Sequence, residues 1–226
     1  MEKIAGLFLV LLITALAVVS CEQIKIRQKM KGVILPGKLV KCMTVEEEAR
    51  NEKSEVNRVN LQDIYFAGGC FWGVEEYFSR IPGVFEVTVG YANGKTENPT
   101  YEQVCSGKTG FAETVHIRYD AQTVNLKTLA KQFFKIIDPI SINRQGNDKG
   151  SQYRTGMYFL NIKDQSILAS VMADIEKKYD KPLAVELLPL HNYFPAEEYH
   201  QNYLKKNPRG YCHISFDSLK GLRAEK

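Results

Sequence analysis

The sequence has no Cys-x-x-Cys pair and no cysteine–histidine set at zinc-finger spacing, although it holds five cysteines and four histidines. A thioredoxin-type dithiol and a structural zinc site both lose ground on that count, and no metal centre is expected. A surplus of one charge is lacking as well. Lysine and arginine number 30 against 26 aspartates and glutamates, a net charge of +4, and the lysines are scattered among glutamates with no basic stripe. Nucleic-acid binding therefore has no electrostatic footing. Internal repeats and low-complexity segments are absent too, which leaves a single globular unit as the default.

The 226 residues suffice for one sizeable core but not for two full domains, and a composition 44% hydrophobic and 25% charged is that of a folded protein. The first part of the chain is read as targeting. From Ile4 to Val19 the residues are apolar apart from Gly6 and Thr14, the pattern of a secretory signal core. A transmembrane anchor is the alternative, but the run is short for a bilayer span and no basic stop-transfer cluster follows. Val18-Val19-Ser20-Cys21 resembles a bacterial lipobox, in which the cysteine becomes the lipid-bearing N-terminus. The expectation is a signal peptide over 1–20, lipid attachment at Cys21, a polar tether over 21–60 and a catalytic domain over 61–226. The protein would then be an exported lipoprotein of a bacterial envelope, on the periplasmic side or the cell surface, touching membrane only through its lipid. Cys42, in the tether, is a stray thiol or a helper in disulfide recycling.

From Leu61 onward the periods sharpen. Ile64 to Ala67 reads as a buried strand running into Gly68-Gly69, and a helix is predicted from Phe71 to about Arg80. Phe85, Val87 and Val89 alternate as one face of a second strand, and Tyr91 to Gly110 reads as a long, turn-rich loop. A third strand spans Glu113 to Tyr119. A helix capped by Asn125 then runs through Leu126, Leu129, Ala130, Phe133 and Ile137 to Asp138-Pro139. A strand at Gly156–Leu160, a helix at Gln165–Tyr179, a strand near Ala184–Leu188 and a short helical run at Ala196–Lys206 complete the reading. The predicted class is α+β, a ferredoxin-like βαββαβ core with an irregular C-terminal tail.

Cys70 stands at the joint of the first strand and first helix, flanked by Gly69 and by Phe71-Trp72-Gly73. Free amides and the positive end of the helix dipole favour a thiolate there, so a lowered thiol pKa and a nucleophilic role are expected over a buried structural cysteine. Phe71 and Trp72 are core residues or, facing solvent, an apolar slot for a methyl-bearing group. Cys212, in the tail, is a thiol able to swing to Cys70 or an inert exposed one. Cys105 is structural or auxiliary. The histidines form no ligand set, and His116 is expected to be solvated.

Gly69-Cys70-Phe71-Trp72-Gly73-Val74-Glu75 resembles the active-site signature of the A-type peptide methionine sulfoxide reductases. Further blocks follow in order: Gly90-Tyr91, Asn98-Pro99-Thr100-Tyr101, Val104-Cys105-Ser106-Gly107, Thr109 to Glu113, Asp138-Pro139, Arg144 to Asp148, Gln152-Tyr153-Arg154 and His200-Gln201. The resemblance covers roughly Asp63 to Cys212. It implies attack of Cys70 on sulfoxide sulfur, with Glu113 as proton donor, Tyr101 and Tyr153 as hydroxyl partners, and Phe71, Trp72 and Asp148 contacting substrate. It also implies a sulfenic acid on Cys70 resolved by Cys212, reduction by thioredoxin or a similar dithiol donor, and no prosthetic cofactor. The substrates would be the S epimer of methionine sulfoxide, free or in oxidised proteins, and the enzyme a monomer. Burial beside Phe71 and Trp72 should raise the Glu113 pKa. His200 would pack near the site. Two other readings compete: a cysteine acyl-transferase or hydrolase pairing Cys70 with His200, and a lipoprotein that binds methionine-bearing proteins without turnover.

Overall fold

The computed structural model describes residues 61–222; the signal segment, Cys21, the tether and Cys42 lie outside the described residues. Strand β1 (Leu61–Gly68) is followed by α1 (Phe71–Ser79), β2 (Val84–Ala92), α2 (Tyr101–Cys105), β3 (Ala112–Asp120) and α3 (Leu126–Phe133). Two short strands, β4 (Arg144–Gln145) and β5 (Asp148–Lys149), form a small hairpin before a 3-10 turn at Ser151–Tyr153. Then come β6 (Thr155–Phe159), α4 (Ile162–Glu176), β7 (Glu186–Pro189), β8 (Tyr193–Pro195) and α5 (Tyr203–Lys206).

Six strands form one sheet in the order β7-β6-β1-β3-β2-β8. Its centre, β6-β1-β3-β2, is antiparallel throughout, which leaves β1 and β2 parallel with β3 inserted between them, as the split βαβ arrangement predicts. β7 adds in parallel to β6 through the α4 crossover, and β8 adds antiparallel to the site end of β2. The central strand β1 is buried on both faces. Ile64 and Phe66 point into the main core with Val115, Ile117, Met157 and the helices, while Tyr65 and Ala67 pack on the other face with Tyr158 and Tyr193.

The helices follow their apolar spacing. In α3, Leu126, Leu129, Ala130 and Phe133 are buried at helical intervals, and the Asn125 side chain accepts the Thr128 N–H at 2.8 Å. In α1, Phe71, Val74 and Phe78 line the core-facing stripe.

Several expectations change. β2 carries a bulge between Val84 and Glu86, so Phe85 drops out of the alternation and is 61% exposed while Val87 and Val89 are buried. The long loop contains α2, which starts at a capping box: Thr100 Oγ1 accepts the Gln103 N–H and Gln103 Oε1 accepts the Thr100 N–H. The α3 helix ends at Phe133, where N–H groups bonded three residues back tighten the chain before Asp138. α4 starts three residues early because Asn161 caps it, accepting the Lys163 N–H at 3.0 Å. The tail includes strand β8, and only Tyr203–Lys206 of the expected helical run is α-helical. His116 is not simply solvated: its ring stacks on Tyr65 at 4.5 Å and its Nε2 lies 2.7 Å from Asp63 Oδ1. Among the described residues no helix is long and apolar enough to cross a membrane.

Candidate active site

Cys70 is the N-cap of α1 and is buried. Gly69 before it turns at φ +85°, and a Cβ there would stand 2.5 Å from Cβ of Gln145, so this turn tolerates only glycine. Gln145, itself buried, clamps the backbone of Asp138, accepting its N–H at 2.7 Å and donating to its carbonyl at 2.8 Å. The two segments that follow α3 are thereby locked against the strand-to-helix turn.

The backbone N–H of Phe71 donates to Glu113 Oε2 at 3.1 Å. Glu113 comes from the start of β3, opposite Tyr91 of β2, and is 1% exposed. Its Oε1 has no partner among the described residues. Burial pushes its pKa up to about 8 against the pull of the Phe71 N–H, with Asp148 adding to the rise, so the carboxyl is mostly protonated at neutral pH. This agrees with the expectation for Glu113.

The Cys70 thiol departs from its expectation. Burial raises its pKa well above the ordinary value, the proximity of Glu113 adds to this, and the Trp72 N–H only partly offsets it. A helix start stabilises a thiolate in contact with water, but here desolvation outweighs the dipole. The resting group is a thiol.

The remaining predicted residues converge on this pair. Tyr101 opens α2 and Tyr153 closes the 3-10 turn; burial, then the nearby Glu113, raises the pKa of both hydroxyls, which stay protonated donors. Asp148, from β5, contributes to the electrostatic environment of Cys70, Glu113 and Tyr153 and accepts a hydrogen bond from the Tyr211 hydroxyl at 3.1 Å. Phe71 is 1% exposed and belongs to the core, whereas Trp72 is half-buried against Tyr203 and His200. Of the two options for this pair, Phe71 takes the core and Trp72 keeps an open side.

Cys212 arrives from the tail. Its sulfur lies where Gly73, one helical turn after Cys70, leaves room: a Cβ on Gly73 would be 3.0 Å from Cys212 Sγ. Cys212 is partly buried and Cys105 is exposed at the end of α2. His213 covers the Gly68-Gly69 turn, with Nδ1 3.8 Å from Asp148 Oδ2 and a pKa lowered by burial. Among the described residues no cluster of three or more metal-ligating side chains occurs.

Glu197 escapes sequence reasoning altogether, and so do the contacts that Glu75, Gln201 and His200 make. Glu197 Oε1 accepts the Tyr101 N–H at 2.9 Å and its Oε2 accepts the Tyr91 hydroxyl at 2.7 Å. Burial pushes its carboxyl up, but its own backbone N–H together with these two bonds outweighs that and holds it below the ordinary value. Glu75, buried in α1, accepts the Asn202 N–H at 2.8 Å, and burial pushes its pKa up to about 7. The Gln201 amide bonds both N–H and carbonyl of Val89, standing in for a missing strand. His200 Nδ1 accepts the Trp72 indole N–H at 3.1 Å, which orients the imidazole toward Trp72 and removes support for a Cys70–His200 acyl-transfer pair.

Comparison with known proteins agrees with this geometry. The sequence model of the family described as peptide methionine sulfoxide reductase matches residues 62–225. The peptide methionine sulfoxide reductase MsrA of Clostridium botulinum (strain Okra) is 54% identical over 157 residues, 70% of this chain and 100% of that protein. The MsrA of Clostridium acetobutylicum is 51% identical over 160 residues, 71% of this chain and 99% of its own. The crystal structure of Mxr1 from Saccharomyces cerevisiae in reduced form superposes with a TM-score of 0.65 at 38% identity, covering 68% of this chain and 90% of Mxr1. Methionine sulfoxide reductase A of Corynebacterium diphtheriae gives 0.62 at 36% identity, covering 68% and 78%. On the family match and these relatives, the chain belongs to the A-type peptide methionine sulfoxide reductases, oxidoreductases that reduce methionine sulfoxide.

Proposed function

We propose that this chain reduces the S epimer of methionine sulfoxide, free and in oxidised proteins, by direct attack of Cys70 on sulfur. The observation that carries the reading is the buried Glu113 carboxyl, protonated at neutral pH, tied to the residue after Cys70 and carrying a second oxygen without a partner among the described residues. That is the state required of a general acid. Glu113 donates to the sulfoxide oxygen while the neutral hydroxyls of Tyr101 and Tyr153 donate hydrogen bonds to it. Trp72 takes the methyl side of the substrate, backed by the core residue Phe71, and Asp148 orients the remainder.

The step balances as thiol plus sulfoxide giving sulfenic acid plus sulfide. Cys70 sulfur loses two electrons and takes the oxygen, the sulfoxide sulfur gains them, the Glu113 proton ends on the transferred oxygen, and the thiol proton restores the Glu113 carboxyl. A resting thiol with a raised pKa suits this route, since its proton is what restores the Glu113 acid. Cys212 thiol then displaces hydroxide from the sulfenic acid, forming a Cys70–Cys212 disulfide and water. A thioredoxin-like dithiol donor restores both thiols, with no prosthetic cofactor. The lipobox-like Val18 to Cys21 further supports an exported, lipid-anchored protein, with lipid on Cys21, a tether over 21–60 and catalysis by the domain over 61–226.

Turnover of the separated S and R epimers of a methionine sulfoxide peptide, with dithiothreitol, tests the reading. Reduction of the S epimer alone, abolished by Cys70→Ser, is expected. Equal reduction of both epimers, or an active Cys70→Ser variant, overturns it.

A further inference from the structure

Trp72 is the only tryptophan in the chain, and it is held on two sides. Its ring stacks on Tyr203 with centroids 3.8 Å apart and planes 14° from parallel, and its indole N–H donates to His200 Nδ1 at 3.1 Å. An imidazole nitrogen that accepts carries no proton, so the neutral ring bears its hydrogen on Nε2. That Nε2 is buried and has no partner among the described residues. His200 is 2% exposed, and its ring lies 5.2 Å from Phe71, 4.4 Å from Tyr101 and 4.1 Å from Tyr199. A ring enclosed on three sides has little freedom to turn its acceptor away. The neighbouring backbone is fixed too, by Glu75 on the Asn202 N–H and by Gln201 on Val89. The attitude of the indole therefore depends on one lone pair.

We propose that His200 is a positioning residue for sulfoxide reduction, holding the Trp72 indole through Nδ1 as the aromatic wall of the substrate site beside Cys70. The proposal rests on the reading of Trp72 as that wall and adds what controls it. His200 touches no reacting atom; it acts through Trp72. Protonation of Nδ1 turns the acceptor into a donor facing the indole N–H, and the bond is lost.

The groups facing His200 set where this happens. Burial lowers its pKa from the usual 6.5, while the carboxylates of Glu197 and of Glu102 in α2 pull upward. Tyr101 and Tyr199 present neutral hydroxyls, and the Glu75 carboxyl of α1, held by the Asn202 N–H, titrates at about 7, above the lowered His200 range. The imidazole is neutral at pH 7 and the wall is formed. Acidification into the range below 6.5 releases it.

The test uses the full chain, with Trp72 emission excited selectively beyond tyrosine absorption and KM for a methionine sulfoxide peptide measured across the same acid range. In the wild type, emission changes in one transition below pH 6.5, and KM rises about five- to tenfold through it while kcat changes less, the loss expected for one buried hydrogen bond. His200→Asn keeps an amide oxygen near the Nδ1 position without a titrating group. It should retain the wild-type KM at pH 7 and show neither transition. His200→Phe removes the acceptor and should carry the raised KM at every pH. A His200→Asn variant that keeps the emission transition, or a His200→Phe variant with wild-type KM, overturns the proposal. Trp72→Ala with unchanged KM would overturn the reading of Trp72 as a wall, whereas the emission titration decides separately whether His200 holds the indole.

Discussion

Glu113 Oε2 accepts the N–H of Phe71, so the proton donor proposed for the reaction is anchored to the peptide that follows the proposed nucleophile. The two groups that must act on one sulfur–oxygen bond are placed by a single strand-to-helix turn and one neighbouring strand, β1 running into α1 and β3 beside it. Movement of the turn carries donor and nucleophile together.

The same carboxyl makes stability depend on pH. Its pKa is raised by burial from 4.5 to about 8 in the folded protein, so the folded state binds more protons than the unfolded one between those values. Its contribution is fully present below pH 4.5 and is lost as pH rises through about 8. Glu113→Gln, which keeps an acceptor for the Phe71 N–H, should be more stable than wild type at pH 8, by on the order of 3–5 kcal/mol at most, and no more stable at pH 4. Urea denaturation at the two pH values measures this. Activity should fall about 10²- to 10⁴-fold in the variant at neutral pH, and wild-type kcat should decline as pH rises through about 8.

Gly73 leaves the space into which the Cys212 sulfur fits. Gly73→Ala places a methyl 3.0 Å from that sulfur and 3.1 Å from Ile214 Cδ1, displacing the tail. Helix propensity favours alanine by about 1 kcal/mol, so the fold should survive. Rapid quench should find the first methionine released at near wild-type rate and loss of the two thiols slowed about tenfold or more. Equal slowing of both steps would contradict the placement of Cys212.

Glu197 serves Tyr91 and Tyr101 at once. Glu197→Ala strands the hydroxyl of the buried Tyr91 and frees the first turn of α2, costing about 1–3 kcal/mol by thermal or urea unfolding. Because Tyr101 is thereby loosened, KM for the sulfoxide should rise at temperatures where the variant remains folded. An unchanged KM with lowered stability would confine Glu197 to a structural role.

Much of the fold is legible from period and caps. Val115, Ile117 and Tyr119 mark β3 by strict alternation, and Asn125 with the Leu126 to Phe133 spacing marks α3, because both patterns are local. The bulge at Phe85 is not legible, since nothing in Val84-Phe85-Glu86 announces the register shift. The position of Cys70 at a helix start is readable from Gly68-Gly69-Cys70. Its ionisation is misread, because a helix start says nothing about burial, and the side chains gathered around it, Glu113, Asp148 and Cys212, come from β3, β5 and the tail. Glu197 and Glu75 find their partners 96 and 127 positions away, and no spacing in the chain encodes those pairings.

The central claim is that Cys70 takes the oxygen from the sulfoxide. The most direct measurement gives the full chain carrying Cys212→Ser one equivalent of methionine sulfoxide labelled with heavy oxygen, traps the product, and locates the label by peptide mass spectrometry. The account predicts labelled oxygen on Cys70 in step with methionine release. Methionine formed at the wild-type first-turnover rate with no oxygen on Cys70 would contradict it.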